Sequence, residues 1–143
     1  MASYFFYGTL MDAAVRQTVC GRKPVRTAYL TGFQRYYVPH ASYPVLVADP
    51  GHVLDGLYVT GVDAKSVRRL DLFEGPEYEV VEVPINLDSP LGKEAMARVY
   101  MPRPGTLATP YVWDYERWKC ADRSAYLARI RRWAGGSARQ MFG

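Results

Sequence analysis

The sequence predicts an α+β fold: a small mixed, barrel-like β-sheet with a few short helices. Short runs of β-branched and aromatic residues recur along the chain, each closed by glycine, proline or aspartate, and these read as strands. Only two or three stretches carry helical periodicity. No regular βαβ rhythm connects them, so the strands belong to a mixed sheet rather than a doubly wound parallel one.

The elements follow in order. Tyr4 to Tyr7 is an aromatic strand broken by Gly8 and Thr9, and Asp12 to Cys20 reads as a short helix. Gly21 stands where a helix C-cap falls, in the turn Gly21 to Pro24. Val25 to Leu30 and Phe33 to Val38 read as strands punctuated by Gly32, followed by a loop from Pro39 to Ser42. Tyr43 to Val47 is a strand entered through Pro44, as suits an edge or a strand start. Asp49 to His52 reads as a turn. Val53 to Thr60 is a further strand, whose internal Gly56 points to a bulge or a close backbone approach.

Asp63 fits the N-cap of a helix through Leu72, with Val67, Leu70 and Phe73 on one face, and Gly75-Pro76 stops it. Tyr78 to Leu87 and Glu94 to Met101 flank a hairpin-like turn, Asp88 to Gly92. Ala95, Ala97, Val99 and Met101 share one face of the returning strand and Tyr100 takes the other. Pro102 to Gly105 and Pro110 mark a loop. The tail from about residue 112 is helical, over Asp114 to Lys119 and Asp122 to Trp133, with Leu127, Ile130 and Ala134 sharing a face between Tyr126 and Trp133. Gly135-Gly136 ends it, and the last residues are expected to be loose.

At 143 residues the chain is expected to be one domain, 1–143, large enough for a sizeable core. Hydrophobic residues make up 49% and charged residues 22%, which argues against disorder. The formal charge of +4 is mild and leaves anionic small molecules as plausible ligands. The start lacks a signal-peptide pattern, and no stretch reaches membrane-spanning length. Cys20 and Cys120 lie far apart without metal-type spacing, so they read as free thiols in a reducing compartment, with the cytoplasm as the default location.

Two stretches carry chemistry. The first runs strand, glycine turn, helix through Tyr7, Gly8, Thr9 and Leu10. Such a turn aims several backbone N–H groups at one spot, where an anionic group can sit. The second is Leu70-Asp71-Leu72-Phe73-Glu74-Gly75-Pro76-Glu77-Tyr78. Leu70 and Phe73 turn toward the core, so Asp71 faces away. Glu74 falls at a helix C-terminus, where the dipole disfavours negative charge and raises a carboxyl pKa. A partly buried glutamate of that kind suits a general base near neutral pH, whereas a solvated helix-end residue is the plainer reading.

Phe6-Tyr7-Gly8-Thr9-Leu10 resembles the signature loop of the γ-glutamylcyclotransferase-like superfamily, in particular its AIG2-like branch. Leu70-Asp71-x-Phe73-Glu74-Gly75-x-x-Tyr78 is similar to its second signature, in which the glutamate after the phenylalanine is the catalytic acid/base. Trp113-Asp114-Tyr115-Glu116-Arg117-Trp118-Lys119 looks like the carboxy-terminal segment of plant AIG2-like proteins. The resemblance implies the γ-glutamylcyclotransferase-like fold and an enzyme that releases 5-oxoproline from a γ-glutamyl amine, amino acid or isopeptide. Glu74 would be its acid/base, and Tyr7 to Leu10 would hold the substrate. Tyr43, Pro44, Tyr78 and Tyr100 occupy places where the family lines its pocket. Members often carry an arginine where this chain has Val80, so a substrate carboxylate contact is missing or comes from elsewhere, for example Arg35 or Arg103.

The resemblance implies no cofactor and no metal. His40 and His52 stand in turns with no acidic or cysteine cluster at ligand spacing. No G-x-S-x-G elbow and no Walker-type or dinucleotide loop is present. The expected partner is a small γ-glutamyl substrate, with no nucleic acid and no membrane, in a monomer or homodimer. A ligand-binding domain that kept the pocket without efficient catalysis is the rival. A nucleic-acid contact through Arg117, Lys119, Arg123, Arg129, Arg131, Arg132 and Arg139 is weaker, since these charges surround a helix with an apolar face.

Overall fold

Alternation along the opening strand decides the layout. In the computed structural model, which describes residues 1–135, β1 spans Ala2–Phe6. Successive side chains of a strand point to opposite faces. Phe5, and Tyr7 just beyond the strand, join one buried cluster with Ala28, Leu30, Leu46, Leu54, Ile85 and Val99. Tyr4 and Phe6 join another, packed with residues of the helices such as Val15, Leu70, Trp118 and Ile130. One cluster fills the sheet's interior; the other glues helices to its outside.

The sheet closes on itself in the order β1-β3-β2-β4-β5. Here β2 is Val25–Tyr37, β3 Pro44–Val62, β4 Tyr78–Leu87 and β5 Glu94–Pro102. All neighbours pair antiparallel except β1 with β5, which meet in parallel at Tyr4 and Arg98. Closure removes free sheet edges and fixes the mixed, barrel-like character expected from the sequence. As its alternation predicts, β5 turns Ala95, Ala97, Val99 and Met101 to the interior and Tyr100 outward.

Two strands are longer than their local signals. Val25 to Tyr37 runs through Gly32 as a single strand, and Pro44 to Val62 runs through Asp49 to His52, which the sequence marks as a turn. The register explains both. Thr31 pairs with Val53 and Phe33 with Ala48, so one residue opposes four in a wide bulge that bends the ribbon without ending it. At Gly56 the expectation resolves to a close approach. It pairs in register with Ala28, and a Cβ there would lie 2.5 Å from the Phe5 ring and 2.6 Å from the Phe6 carbonyl oxygen.

The helices are α1 Ala13–Cys20, α2 Ala64–Glu74, α3 Tyr115–Ala121 and α4 Arg123–Gly135. Aspartates open three of them: Asp12 accepts from Val15 N–H, Asp63 from Ser66 N–H and Asp114 from Glu116 N–H. Such N-caps are each worth about 1 kcal/mol. A 3₁₀ turn, Thr9–Met11, follows Gly8 and leads into α1 at Asp12, in the place of the expected glycine turn. Asp12 is buried and also pairs with Arg123 at 2.5 Å, which pins α4 to the start of α1. Trp118 meets Trp113 at a tilt and Tyr126 edge to face, and all three rings are buried. Burying each such ring contributes roughly 2–3 kcal/mol. Cys20 is a buried free thiol and Cys120 an exposed one. Among the described residues no helix is long and apolar enough to cross a membrane. The expected loose end from Gly136, and Arg139 with it, lies outside the described residues.

Candidate active site

The site forms at the end of the barrel where β1 gives way to the 3₁₀ turn. Helix α2 arrives there from the outside. Gly75, at φ 84°, donates its N–H to the Asp71 carbonyl at 3.0 Å and turns the chain away, so Glu74 is the last helical residue. Opposite it, Tyr7, Gly8, Thr9 and Leu10 form the other wall of one cavity of about 450 Å³ of empty space, mouth included. Tyr43 and Pro44 at the start of β3, Tyr78 at the start of β4 and Tyr100 near the end of β5 complete it.

Gly8 is required by contact rather than by a left-handed backbone. Its φ is −123°, but a Cβ there would lie 2.9 and 3.0 Å from the Pro44 ring carbons. The turn is thus wedged against the start of β3. Thr9 Oγ1 and the Tyr126 hydroxyl lie 2.9 Å apart, which ties the turn to α4. Arg35 anchors the preceding residue: its Nη1 donates to the Tyr7 carbonyl at 2.8 Å and its Nη2 pairs with Asp55 at 3.0 Å.

Glu74 stands among phenols from five directions. Tyr7, Tyr43, Tyr78, Tyr100 and Tyr126 all lie close enough for its charge to push their pKa values up, in addition to the larger effect of their own burial. Three of these hydroxyls donate to fixed acceptors: Tyr7 to the Tyr100 carbonyl at 2.6 Å, Tyr78 to the Pro44 carbonyl at 3.1 Å and Tyr100 to Asp71 Oδ1 at 2.8 Å. Glu74 itself is half-buried in the cavity wall. Burial first, and the neighbouring Asp71 charge second, push its pKa up to about 8. The upward direction is the one expected from the helix end, but burial is its main cause.

The sequence-derived positions, Glu74, Tyr7 to Leu10, Tyr43, Pro44, Tyr78 and Tyr100, thus border one hollow. Sequence reading missed Tyr126, which it placed only beside an apolar helix face, together with the linings Phe5, Phe6 and Phe73. The substitutes suggested for the family arginine lie elsewhere. Arg35 is committed to the Tyr7 carbonyl and Asp55, while Arg103 donates to the Pro76 carbonyl at 2.8 Å beside exposed Val80 in a neighbouring hollow. Among the described residues that line the cavity none carries a positive charge. Among the described residues no group of three or more histidines, cysteines or acids could hold a metal.

The chain is 30% identical to an Arabidopsis thaliana protein called AIG2-like protein A, over 90% of its own length and 78% of that protein's. It is 27% identical to AIG2-like protein D of the same plant, over 94% and 90%. A solved Arabidopsis thaliana structure superposes with a TM-score of 0.64 at 26% identity, covering 97% of this chain and 95% of that one. A structure described as a gamma-glutamyl cyclotransferase superposes with a TM-score of 0.67 at 18% identity, over 91% and 86%. That last likeness speaks for the fold alone. The sequence profile described as gamma-glutamyl cyclotransferase, AIG2-like, matches residues 4–120, a span that holds the glycine turn, Glu74 and every strand of the barrel, and on that match the chain belongs to the AIG2-like gamma-glutamyl cyclotransferase family.

Proposed function

We propose that this protein is a γ-glutamylcyclotransferase that releases 5-oxoproline and an amine from a γ-glutamyl amine, amino acid or isopeptide, with Glu74 as general acid/base. The observation that carries the reading is the enclosed Glu74 carboxyl facing the Tyr7–Leu10 turn across one cavity, with its pKa pushed up to about 8. The substrate's α-amino group attacks its own γ-carbonyl carbon. A C–N bond forms, the γ-amide C–N bond breaks, and a five-membered lactam results. An ammonium group cannot attack, so the Glu74 carboxylate takes a proton from the α-nitrogen and returns it to the departing nitrogen.

The attack is intramolecular, and the protein's task is to hold the folded-back conformer. A cavity walled by aromatic rings and by a wedged turn suits that task. Thr9 and Leu10 open the 3₁₀ turn, and the first N–H groups of a helical turn have no acceptor within it. They are the donors for the α-carboxylate or the developing oxyanion, where a well-placed donor is worth roughly 3–4 kcal/mol. With Val80 at the family arginine's place and no cation lining the cavity, backbone donors carry more of that work.

The test is a product assay for 5-oxoproline across γ-glutamyl compounds. Glu74→Gln is expected to abolish release while the protein stays folded; wild-type turnover in that variant refutes the assignment. The same observation about missing cations favours one rival, binding without turnover. Thermal stabilisation by 5-oxoproline, combined with no release from any γ-glutamyl donor, decides for it.

A further inference from the structure

A second hollow lies beside the cavity, and Tyr78 and Tyr100 are walls of both. Asp71 borders the second hollow, exposed, three residues before Glu74 on α2 and therefore on a neighbouring part of the helix surface. It does not line the cavity that holds Glu74. It is nevertheless tied to that cavity. Its Oδ1 accepts the Tyr100 hydroxyl at 2.8 Å, and the Tyr100 carbonyl in turn accepts the Tyr7 hydroxyl at 2.6 Å.

We propose that Asp71 is a positioning residue for the Glu74 reaction: through Tyr100 it fixes the wall of the cavity, and its carboxyl stands one helical turn from that of Glu74. The inference rests on the reading of Glu74 as acid/base. Its electrostatic half follows from what surrounds that carboxyl. From β1, the start of β3, β4, β5 and α4 the groups facing Glu74 are the phenols Tyr7, Tyr43, Tyr78, Tyr100 and Tyr126, all held neutral by burial. Glu77 acts on Tyr43, and Arg129 on Tyr43 and Tyr126, and neither lines the cavity. Asp71 is the charge that bears on Glu74 itself. A poorly hydrated carboxyl screens such a neighbour weakly, so like charge one turn away is felt.

Two variants separate charge from hydrogen bond. Asp71→Asn keeps an oxygen acceptor for the Tyr100 hydroxyl and removes the charge. Tyr100→Phe removes the bond and leaves the charge. Removing a negative neighbour favours the ionised form, so in Asp71→Asn the Glu74 midpoint falls, by roughly one pH unit. The readout is the Glu74 carboxyl carbon followed by NMR through a pH titration, beside the pH dependence of 5-oxoproline release. The expected result is a downward move of both curves together in Asp71→Asn. In Tyr100→Phe the midpoint stays within a few tenths of wild type, and KM rises severalfold. An unmoved Glu74 midpoint in Asp71→Asn overturns the proposal, and so does an equal shift in Tyr100→Phe. A moved midpoint in a protein that releases no 5-oxoproline supports the coupling and overturns the reading of Glu74 as catalyst, so the two failures are distinguishable.

Discussion

Glu74→Gln tests the enclosure of that carboxyl with no substrate present. An ordinary glutamate titrates near 4.5, and this one is pushed up to about 8 in the folded chain. The folded protein therefore binds the proton more tightly than the unfolded one, and between those two values stability falls as pH rises. Each pH unit in that window costs about 1.4 kcal/mol. From pH 5 to pH 8 the wild type accordingly loses roughly 3–4 kcal/mol from this group alone. Glutamine resembles the protonated acid in shape and never ionises, so the variant escapes the loss. Other titrating groups are common to both proteins and cancel in the difference. Urea unfolding of both at pH 5, 6, 7 and 8 is expected to show near equality at pH 5 and a steadily growing advantage for Glu74→Gln. By pH 8 this corresponds to about 10 °C in Tm for a chain of this size. Parallel stability curves, differing by less than about 1 kcal/mol across the range, would refute the claim that the carboxyl is desolvated.

Two further substitutions probe the opposite wall. Gly8→Ala drives a methyl group to within 2.9 Å of the Pro44 ring, so the turn or the start of β3 must shift. A loss of about 1–3 kcal/mol in urea unfolding is expected, together with a larger loss of turnover, whereas an unperturbed variant refutes the wedge. Tyr126→Phe removes the hydroxyl that meets Thr9 Oγ1 across 117 positions of sequence. It is expected to cost about 1 kcal/mol and to raise KM with kcat less affected, and an unchanged KM shows that α4 does not steady the turn.

What the sequence displayed was whatever is decided by neighbours in the chain. The alternation in Ala95 to Met101 marked the two faces of β5, because a strand's side-chain period is fixed by its own backbone. Asp63 and Gly75 bracketed α2 through caps that act within one turn. What it hid depends on partners far away. Gly32 and Asp49 to His52 carry the same local signals as a true turn, and only pairing of Thr31 with Val53 and Phe33 with Ala48 makes them a bulge inside continuous strands. Tyr126 gave no sign of its contact with Thr9, since a phenol beside an apolar helix face packs inward in any helical tail.

The same distant packing sets the chemistry. An α-amino group ordinarily titrates near 8 and a free glutamate near 4.5, so proton transfer from the one to the other is uphill by roughly 5 kcal/mol in water. Burial first, and the Asp71 charge second, bring the Glu74 pKa to about 8, level with the group it would deprotonate on the proposed reading. On the proposed reading that match is the cavity's main contribution, since the substrate already holds its own nucleophile beside the bond to be broken. The match has a cost in stability, because enclosing the carboxyl makes the folded state less stable at every pH above the range where an ordinary glutamate titrates. A protein that only needed to hold this fold would do better with glutamine there. On the proposed reading, an ionisable group kept in a slot of phenols serves proton transfer rather than packing.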